Sequence, residues 1–448
     1  MSENTQFRVI VVGGGVAGLT ASHCLQKAKI DHVVLERRAS IAILEGAGIM
    51  IYPNGARILQ QLGAWDALQA SNASPCNYLW WRGPDGKVIF RNRIYGILKE
   101  NHGIAPLAFE RREFLELVYG ALPDKTPIRL DSKVTKIKEF DSGVEVILAD
   151  GSIEKGDIII GCDGAYSAVR NSMWEHADKV TPGLISTKEK TSIKTSWKCI
   201  AGLNPAIPEL GTGEVISTYG DRVSFLCVSQ PDKFFWFVFV ALDTPFSWPE
   251  RERYTADDVE ALASTVKDLQ VSDSLKFSDI WENRYYGTLV PLEEGVLEHW
   301  YHGRIVLAGD SAHKVTPNIG LGGNMSIESV AVLCNCLRDM LDSQENTNPS
   351  QAALEEAFAR YQELQKPRAK GIMKFSGLIT RLQAWYTPLH RFAALWIYPY
   401  MPDKVMASRF STMIGTAPLL TYVDWKTTWQ NRFPWKYGDQ GSGSAGTM

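Results

Sequence analysis

The alternation of apolar and polar positions opens on a βαβ pattern. Phe7–Val12 is apolar and β-branched and predicts a buried strand, Leu19–Lys27 has helical spacing, and Asp31–Glu36 predicts a second strand ending in His-Val-Val-Leu-Glu. A further helix is expected after Pro53, with Ala56, Leu59 and Leu62 on one face and Gly63 as its stop. From Phe109 the spacing predicts a helix to about Leu122. Strands are expected over Val134–Phe140 and Val144–Leu148, with Asp150-Gly151 as a turn and a buried strand at Asp157–Gly161.

Between about 185 and 285 the pattern changes. Trp197–Leu203, Glu214–Thr218, Val223–Ser229 and Phe234–Ala241 are short, aromatic and β-branched, with turn signals at Tyr219-Gly220-Asp221 and Pro231-Asp232; they predict an antiparallel sheet. At Arg304 the first pattern returns: a short strand over Ile305–Ala308, a Gly/Pro/Asn-rich loop, and a helix from about Met325 to Leu341. A polar linker over 342–350 leads into helical segments at 351–384, and Gly438–Met448 reads as a disordered Gly/Ser-rich tail. The expected class is α/β: a Rossmann-like lobe over 1–75, 105–182 and 286–384, a β-sheet substrate lobe over 76–104 and 183–285, and a helical C-terminal region over 385–437.

Composition narrows the function. At 448 residues the chain needs more than one core, and 47 basic against 50 acidic residues leave a net charge of −3, which excludes an electrostatic case for nucleic acid. Seven scattered cysteines without CxxC pairs argue against a disulfide framework or zinc site and read as reduced thiols of an intracellular protein. The N-terminus reads as a strand rather than a secretory signal, and no run reaches the ~18 apolar residues of a membrane span.

The chemistry begins in the first turn. Gly13, Gly15 and Gly18 form G-x-G-x-x-G between strand and helix: the first glycine allows the tight turn, the second admits a pyrophosphate, and the third lets helix pack on strand. The diphosphate would meet the helix N-terminus at Val16 and Ala17, and Glu36, followed by Arg37, is placed to bind the adenosine ribose. This predicts a dinucleotide, either FAD or NAD.

Two later segments distinguish them by resemblance. Gly161-Cys162-Asp163-Gly164 through Arg170 resembles the Asp-Gly motif of class A flavoprotein monooxygenases, and Gly309-Asp310-Ser311-Ala312-His313 resembles their Gly-Asp motif. Leu321–Asn324, within Pro317–Asn324, resembles the loop beside the flavin ring. The resemblance implies a glutathione-reductase/aromatic-hydroxylase type of FAD-binding domain, with Asp163 at the cofactor and Asp310 on the ribityl region. Gly320, Gly322 and Gly323 would let backbone approach the isoalloxazine, and the helix starting near Asn324 would aim its amides at the flavin N1/C2=O edge. Arg112 resembles the family's helix arginine that reaches FAD, with Arg111 the neighbouring alternative; Gly46 and Gly48 would add a backbone contact or form an ordinary turn.

Pro291–Gly295 and Trp300–Glu328 are similar to the fungal branch that contains indole-diterpene, meroterpenoid and polyene epoxidases, though Gly323 stands where that branch often has alanine. The resemblance implies that NADPH reduces FAD and that reduced flavin traps dioxygen as a C4a-hydroperoxide. One oxygen then passes to an alkene of a lipophilic prenylated or polyene substrate; hydroxylation of a phenol is the alternative. Tyr219 stands roughly where related phenol hydroxylases have an active-site tyrosine, and Lys198 lies on a neighbouring strand; His313 reads as fixing the loop or as a proton shuttle. Phe234–Phe239 would line an apolar pocket or be a strand buried on both faces, and Trp385–Val423 would be a cap over the flavin lobe or rest on a membrane surface, giving a cytoplasmic or peripherally membrane-associated protein. A halogenase would need a W-x-W-x-I-P segment, which Trp80-Trp81-Arg82-Gly83-Pro84 does not match. A prenyl reductase and a non-enzymatic flavoprotein are the remaining rivals.

Overall fold

The computed structural model describes residues 7–43, 46, 48–343, 349–425 and 429–437; the expected tail over 438–448 lies outside them. A six-stranded sheet carries the nucleotide-binding pattern, in the order Tyr301–His302, Ile305–Leu307, Ile158–Gly161, Arg8–Val12, Asp31–Leu35, Ile128–Arg129. All of its pairs are parallel except the one between the first two strands. Apolar side chains bury both faces of the central strands, as a parallel sheet covered by helices requires. Register fixes the site: Val12 is level with Leu35 and with Gly161, and Gly161 with Leu307. The residues after these strands, Gly13, Glu36, Cys162 and Ala308, therefore leave one edge of the sheet together, where such folds bind ligands.

The second lobe is an eight-stranded sheet ordered His313–Lys314, Tyr286–Val296, Lys194–Pro205, Lys233–Ser247, Val223–Ser229, Glu214–Tyr219, Tyr78–Arg82, Val88–Asn92. Two expectations change here. Tyr286–Val296, assigned above to the FAD lobe, belongs to this sheet, where it pairs with Lys194–Leu203. The sheet is also not purely antiparallel, because Tyr78–Arg82 arrives from far upstream and lies parallel to Glu214–Thr218. The aromatic run is buried on both faces: Phe234, Trp236 and Val238 pack with helices Ala256–Val266 and Phe277–Glu282, while Phe235 and Phe239 join the main core.

Gly322–Asp342 packs against Val16–Ala28, and Gln351–Gln383 runs for 33 residues, about 50 Å at helical rise, along both lobes. The helix expected from Phe109 is divided: Leu107–Glu110 is a strand paired with Gly48–Ile51, and the helix is Arg111–Gly120. The C-terminal region is helical at Pro388–Trp396 and Asp403–Gly415. Beyond it the chain folds back on helix Pro53–Leu62: Arg57 donates to the Tyr437 carbonyl at 2.5 Å and lies 3.6 Å over the Trp435 ring. No helix among the described residues is long and apolar enough to cross a membrane.

Candidate active site

The first turn is built for close approach. Gly13 has φ +106°, and a Cβ there would lie 2.5 Å from the Cys162 carbonyl oxygen; a Cβ on Gly18 would overlap the Gly13 carbonyl. At Gly15 the nearest atom to an added Cβ is Nη2 of Arg111, at 3.9 Å, so the space above this glycine is open. The first intrahelical bond runs from Leu19 to Gly15, which leaves the amides of Val16, Ala17 and Gly18 without helical acceptors. That open, amide-lined concavity fits a diphosphate. Glu36 is buried at its side, accepting the Gly14 amide at 2.7 Å and the Arg38 amide at 3.0 Å; Arg37 is exposed at the rim.

The two candidate arginines take different positions. Arg112 is half-exposed and pairs with Glu110 at 3.0 Å, whereas Arg111 reaches Gly15 and also lies 3.5 Å from a Cβ built on Gly46. Because the helix begins at Arg111 rather than Phe109, that residue points back over the glycine turn. Glu45 and Ala47, beside Gly46, lie outside the described residues. Gly48 faces the other way, with Phe235 3.2 Å from its virtual Cβ.

Asp163 serves the protein first. Its carboxylate accepts Ser167 Oγ at 2.5 Å and the amides of Ala168 and Val169 at 2.7 and 3.1 Å, starting helix Ala168–Val180; burial raises its pKa. Arg170, from the same motif, donates to the carbonyls of Ser311 and Ala165 and joins the two motif loops. Asp310 is partly exposed and ion-paired with Lys314, a residue absent from the sequence-based set. Burial presses the Lys314 ammonium down, but Asp310 and Glu293 more than offset it and leave its pKa above the usual lysine value. Gly309, at φ +67°, lets this loop pass within van der Waals reach of Ala17 and Ser326.

The loop into Gly322–Asp342 is tightly tied. Gly320 has φ +65°, and a Cβ on Gly323 would meet Ile49 at 2.6 Å. Asn324 is fully buried: its side-chain amide donates to the carbonyls of Met50 and Gly320 and its oxygen accepts the Tyr52 amide. Its side chain is thus a staple, not a cofactor contact, and only backbone amides at this helix start remain for a ligand. Asn318 Nδ2 donates to Gln383 Oε1 at 2.6 Å, and Thr380 donates to Asn318 Oδ1 at 2.9 Å, anchoring the loop to the long helix. His313 is buried, bonds Ser329 Oγ at 3.1 Å and packs on Trp300; burial pushes its pKa down to about 4, so it fixes the loop as a neutral ring.

Beside Asn318 and Ile319 lies a cavity of about 1270 Å³. Trp81 and Leu226 of the eight-stranded sheet, Tyr52, Tyr95, Phe375 and Phe410 form much of its wall. Tyr219 does not line it: the ring is fully buried behind Trp81, centroids 4.6 Å apart, and burial pushes its phenol well above the ordinary value. The expected catalytic tyrosine is therefore a packing residue. Lys198 lies towards helix Ala256–Val266, where its charge acts on Asp258, and none of Phe234–Phe239 reaches the cavity. The lining residues come from segments between 52 and 437, and no local motif marks them.

The chain is similar to known proteins along most of its length. The FAD binding domain family matches residues 6–376. The FAD-dependent monooxygenase DEP2 of Alternaria brassicicola is 37% identical over 427 residues, covering 94% of this chain and 80% of that protein. The FAD-dependent monooxygenase ptmM of Penicillium ochrochloron is 38% identical over 381 residues, covering 85% and 89%. Among solved structures, Klebsiella pneumoniae HpxO in complex with FAD and uric acid matches 93% of this chain and 100% of that one, with TM-score 0.76 and 19% identity. A salicylate hydroxylase substrate complex covers 94% and 100%, with TM-score 0.65 and 20% identity; both likenesses bear on the fold. This chain belongs to the FAD binding domain family and is an FAD-dependent monooxygenase.

Proposed function

We propose that this enzyme uses NADPH and dioxygen to epoxidise an alkene in a lipophilic prenylated or polyene intermediate of secondary metabolism. Alkene, dioxygen, NADPH and a proton give epoxide, NADP⁺ and water. The observation that carries the reading is the cavity: it is large and mainly apolar, and its lining contains no carboxylate, histidine or cysteine among the described residues. An alkene is attacked by electrophilic oxygen without a protein base, whereas a phenol gains from one. Tyr52 and Tyr95 are the buried phenols at the wall, and burial raises both pKa values, so neither serves as a base near neutrality.

The other groups divide the work of holding FAD. The amides of Val16, Ala17 and Gly18 receive the diphosphate, Arg111 adds charge there, and Glu36 receives the ribose hydroxyls. Asp310, ion-paired with Lys314, would hold the ribityl region. Gly320, Gly322 and Gly323 bring backbone to the ring edge, and the helix dipole of Gly322–Asp342 favours negative charge there. When bound, the flavin supplies electron transfer from NADPH and the activation of dioxygen. The protein orients the alkene at the loop and excludes water through the aromatic walls. The curated relatives are fungal FAD-dependent monooxygenases, which supports the reaction type.

The test is NADPH oxidation by the purified yellow protein under heavy-isotope dioxygen, with a polyprenylated aromatic supplied. The expected product gains one labelled oxygen as an epoxide on the prenyl chain. A label on the aromatic ring favours the hydroxylase, and substrate-independent NADPH consumption without labelled product rejects both.

A further inference from the structure

The C-terminal region exposes a run of large apolar side chains close together in sequence. Leu389, Phe392 and Trp396 lie on one face of helix Pro388–Trp396 and are 73%, 55% and 63% exposed; Tyr400, just beyond, is 74% exposed. The spacing of three and four residues makes them one stripe turned away from the core. The same stretch reaches the cavity through Tyr398 and Met401. Leu364, Leu378 and Val405 are both exposed and cavity-lining, so the cavity opens on this side of the molecule.

Charge distinguishes what covers this surface. The chain carries −3 overall, yet the cavity mouth presents Lys374, Lys404 and Arg409, and Arg391 is exposed on the flank of the same helix, its guanidinium 4.8 Å over the Trp385 ring. The nearest carboxylate in sequence, Asp403, is taken up by Asn92 and the Arg93 amide. An apolar stripe containing tryptophan and tyrosine, flanked by cations and too short to span, has the composition of an interfacial anchor. We propose that this face docks on an anionic lipid bilayer, so that the cavity mouth opens onto the membrane. The docking itself is independent of the epoxidase reading; only the idea that substrate enters from the bilayer rests on it.

The experiment is co-sedimentation of the flavin-loaded enzyme with vesicles of phosphatidylcholine alone or with roughly one third phosphatidylserine. The expected result is binding to the anionic vesicles that weakens with salt and falls about tenfold or more in Phe392→Glu/Trp396→Glu. Flavin content and thermal unfolding of that variant, expected to match the parent because both side chains are exposed, separate lost docking from lost fold. Absence of the parent from anionic vesicles overturns the proposal, as does undiminished binding of the variant. A concentration-dependent dimer abolished by the same substitutions, without vesicle binding, would assign the face to a second copy instead. The readout needs no turnover, so an enzyme inactive on prenylated substrates still tests it.

Discussion

Gln383 accepts the side-chain amide of Asn318 at 2.6 Å, joining the loop beside the proposed flavin position to the last turn of the long helix. Both residues also face the cavity, so this bond, with those from Thr380 to Asn318 and between Thr316 and Ser376, helps hold the loop against the cavity wall. Gln383→Leu should leave the Asn318 donor unsatisfied and cost about 1–3 kcal/mol in thermal unfolding. The flavin should stay bound while a larger share of NADPH electrons ends as hydrogen peroxide. Coupling equal to the parent's would show that the bond does not position the loop.

Arg111 and Arg112 make a sharp pair. Arg111 reaches over Gly15, and Arg112 is held by Glu110. Loss of a charge-assisted contact predicts that Arg111→Ala weakens FAD about ten- to hundredfold, with Arg112→Ala near the parent. Fluorescence titration of the deflavinated proteins checks this, and the reverse order would return the role to Arg112.

The glycines of the first turn should fail in different ways. Gly15→Ala meets only Arg111 Nη2 at 3.9 Å, so the apoprotein should fold, with its unfolding midpoint close to the parent's, while the methyl group blocks the diphosphate. Gly18→Ala drives a Cβ into the Gly13 carbonyl and should yield little folded protein at all. Circular dichroism and flavin content of the two variants, side by side, decide it.

Acid should destabilise the fold through its buried rings. His313 is held down to about 4 from an ordinary 6.5 by burial. Between those values the unfolded chain takes up a proton that the folded state refuses, so stability is intact above the window and falls as pH drops through it. The shift corresponds to about 3 kcal/mol at most. His313→Gln should flatten that limb of the stability–pH curve while lowering stability at neutral pH through lost packing on Trp300. Because His102 is likewise pushed down, to about 3, the flattening should be partial.

The opening βαβ unit was legible in the chain because its determinants are local: a β-branched run, glycines at fixed offsets, and an acid at the end of the next strand. Sheet membership depended on distant partners and was less so. Tyr286–Val296 contains Pro291, Glu293 and Glu294 and falls after the aromatic sheet pattern ends near 285, which places it in the Rossmann-like lobe, yet the neighbouring strand Lys194–Pro205 holds it in the larger sheet. Tyr219 read as a turn tyrosine because Gly220 follows it; the strand ends on Tyr219 and its ring is buried. Arg111 and Arg112 differ by one position, about 100° around a helix. Choosing between them required knowing that a strand ends at Glu110. Asn324 showed the same limit, since its side chain is consumed by Met50, Gly320 and Tyr52, which no spacing reveals.

The level register of Val12, Leu35, Gly161 and Leu307 carries a consequence for making the protein. The flavin cradle is complete only when residues near 13 and residues near 324 have met, so its first amides wait for most of the chain to be synthesised. Contacts this far apart in sequence close slowly and leave unpaired strand edges in the meantime. A ligand that binds only the assembled edge draws the population toward it in proportion to its free concentration. Recovery of intact enzyme from a producing cell should therefore rise with riboflavin supply, and the flavin should act as a folding ligand well before it acts as a reagent.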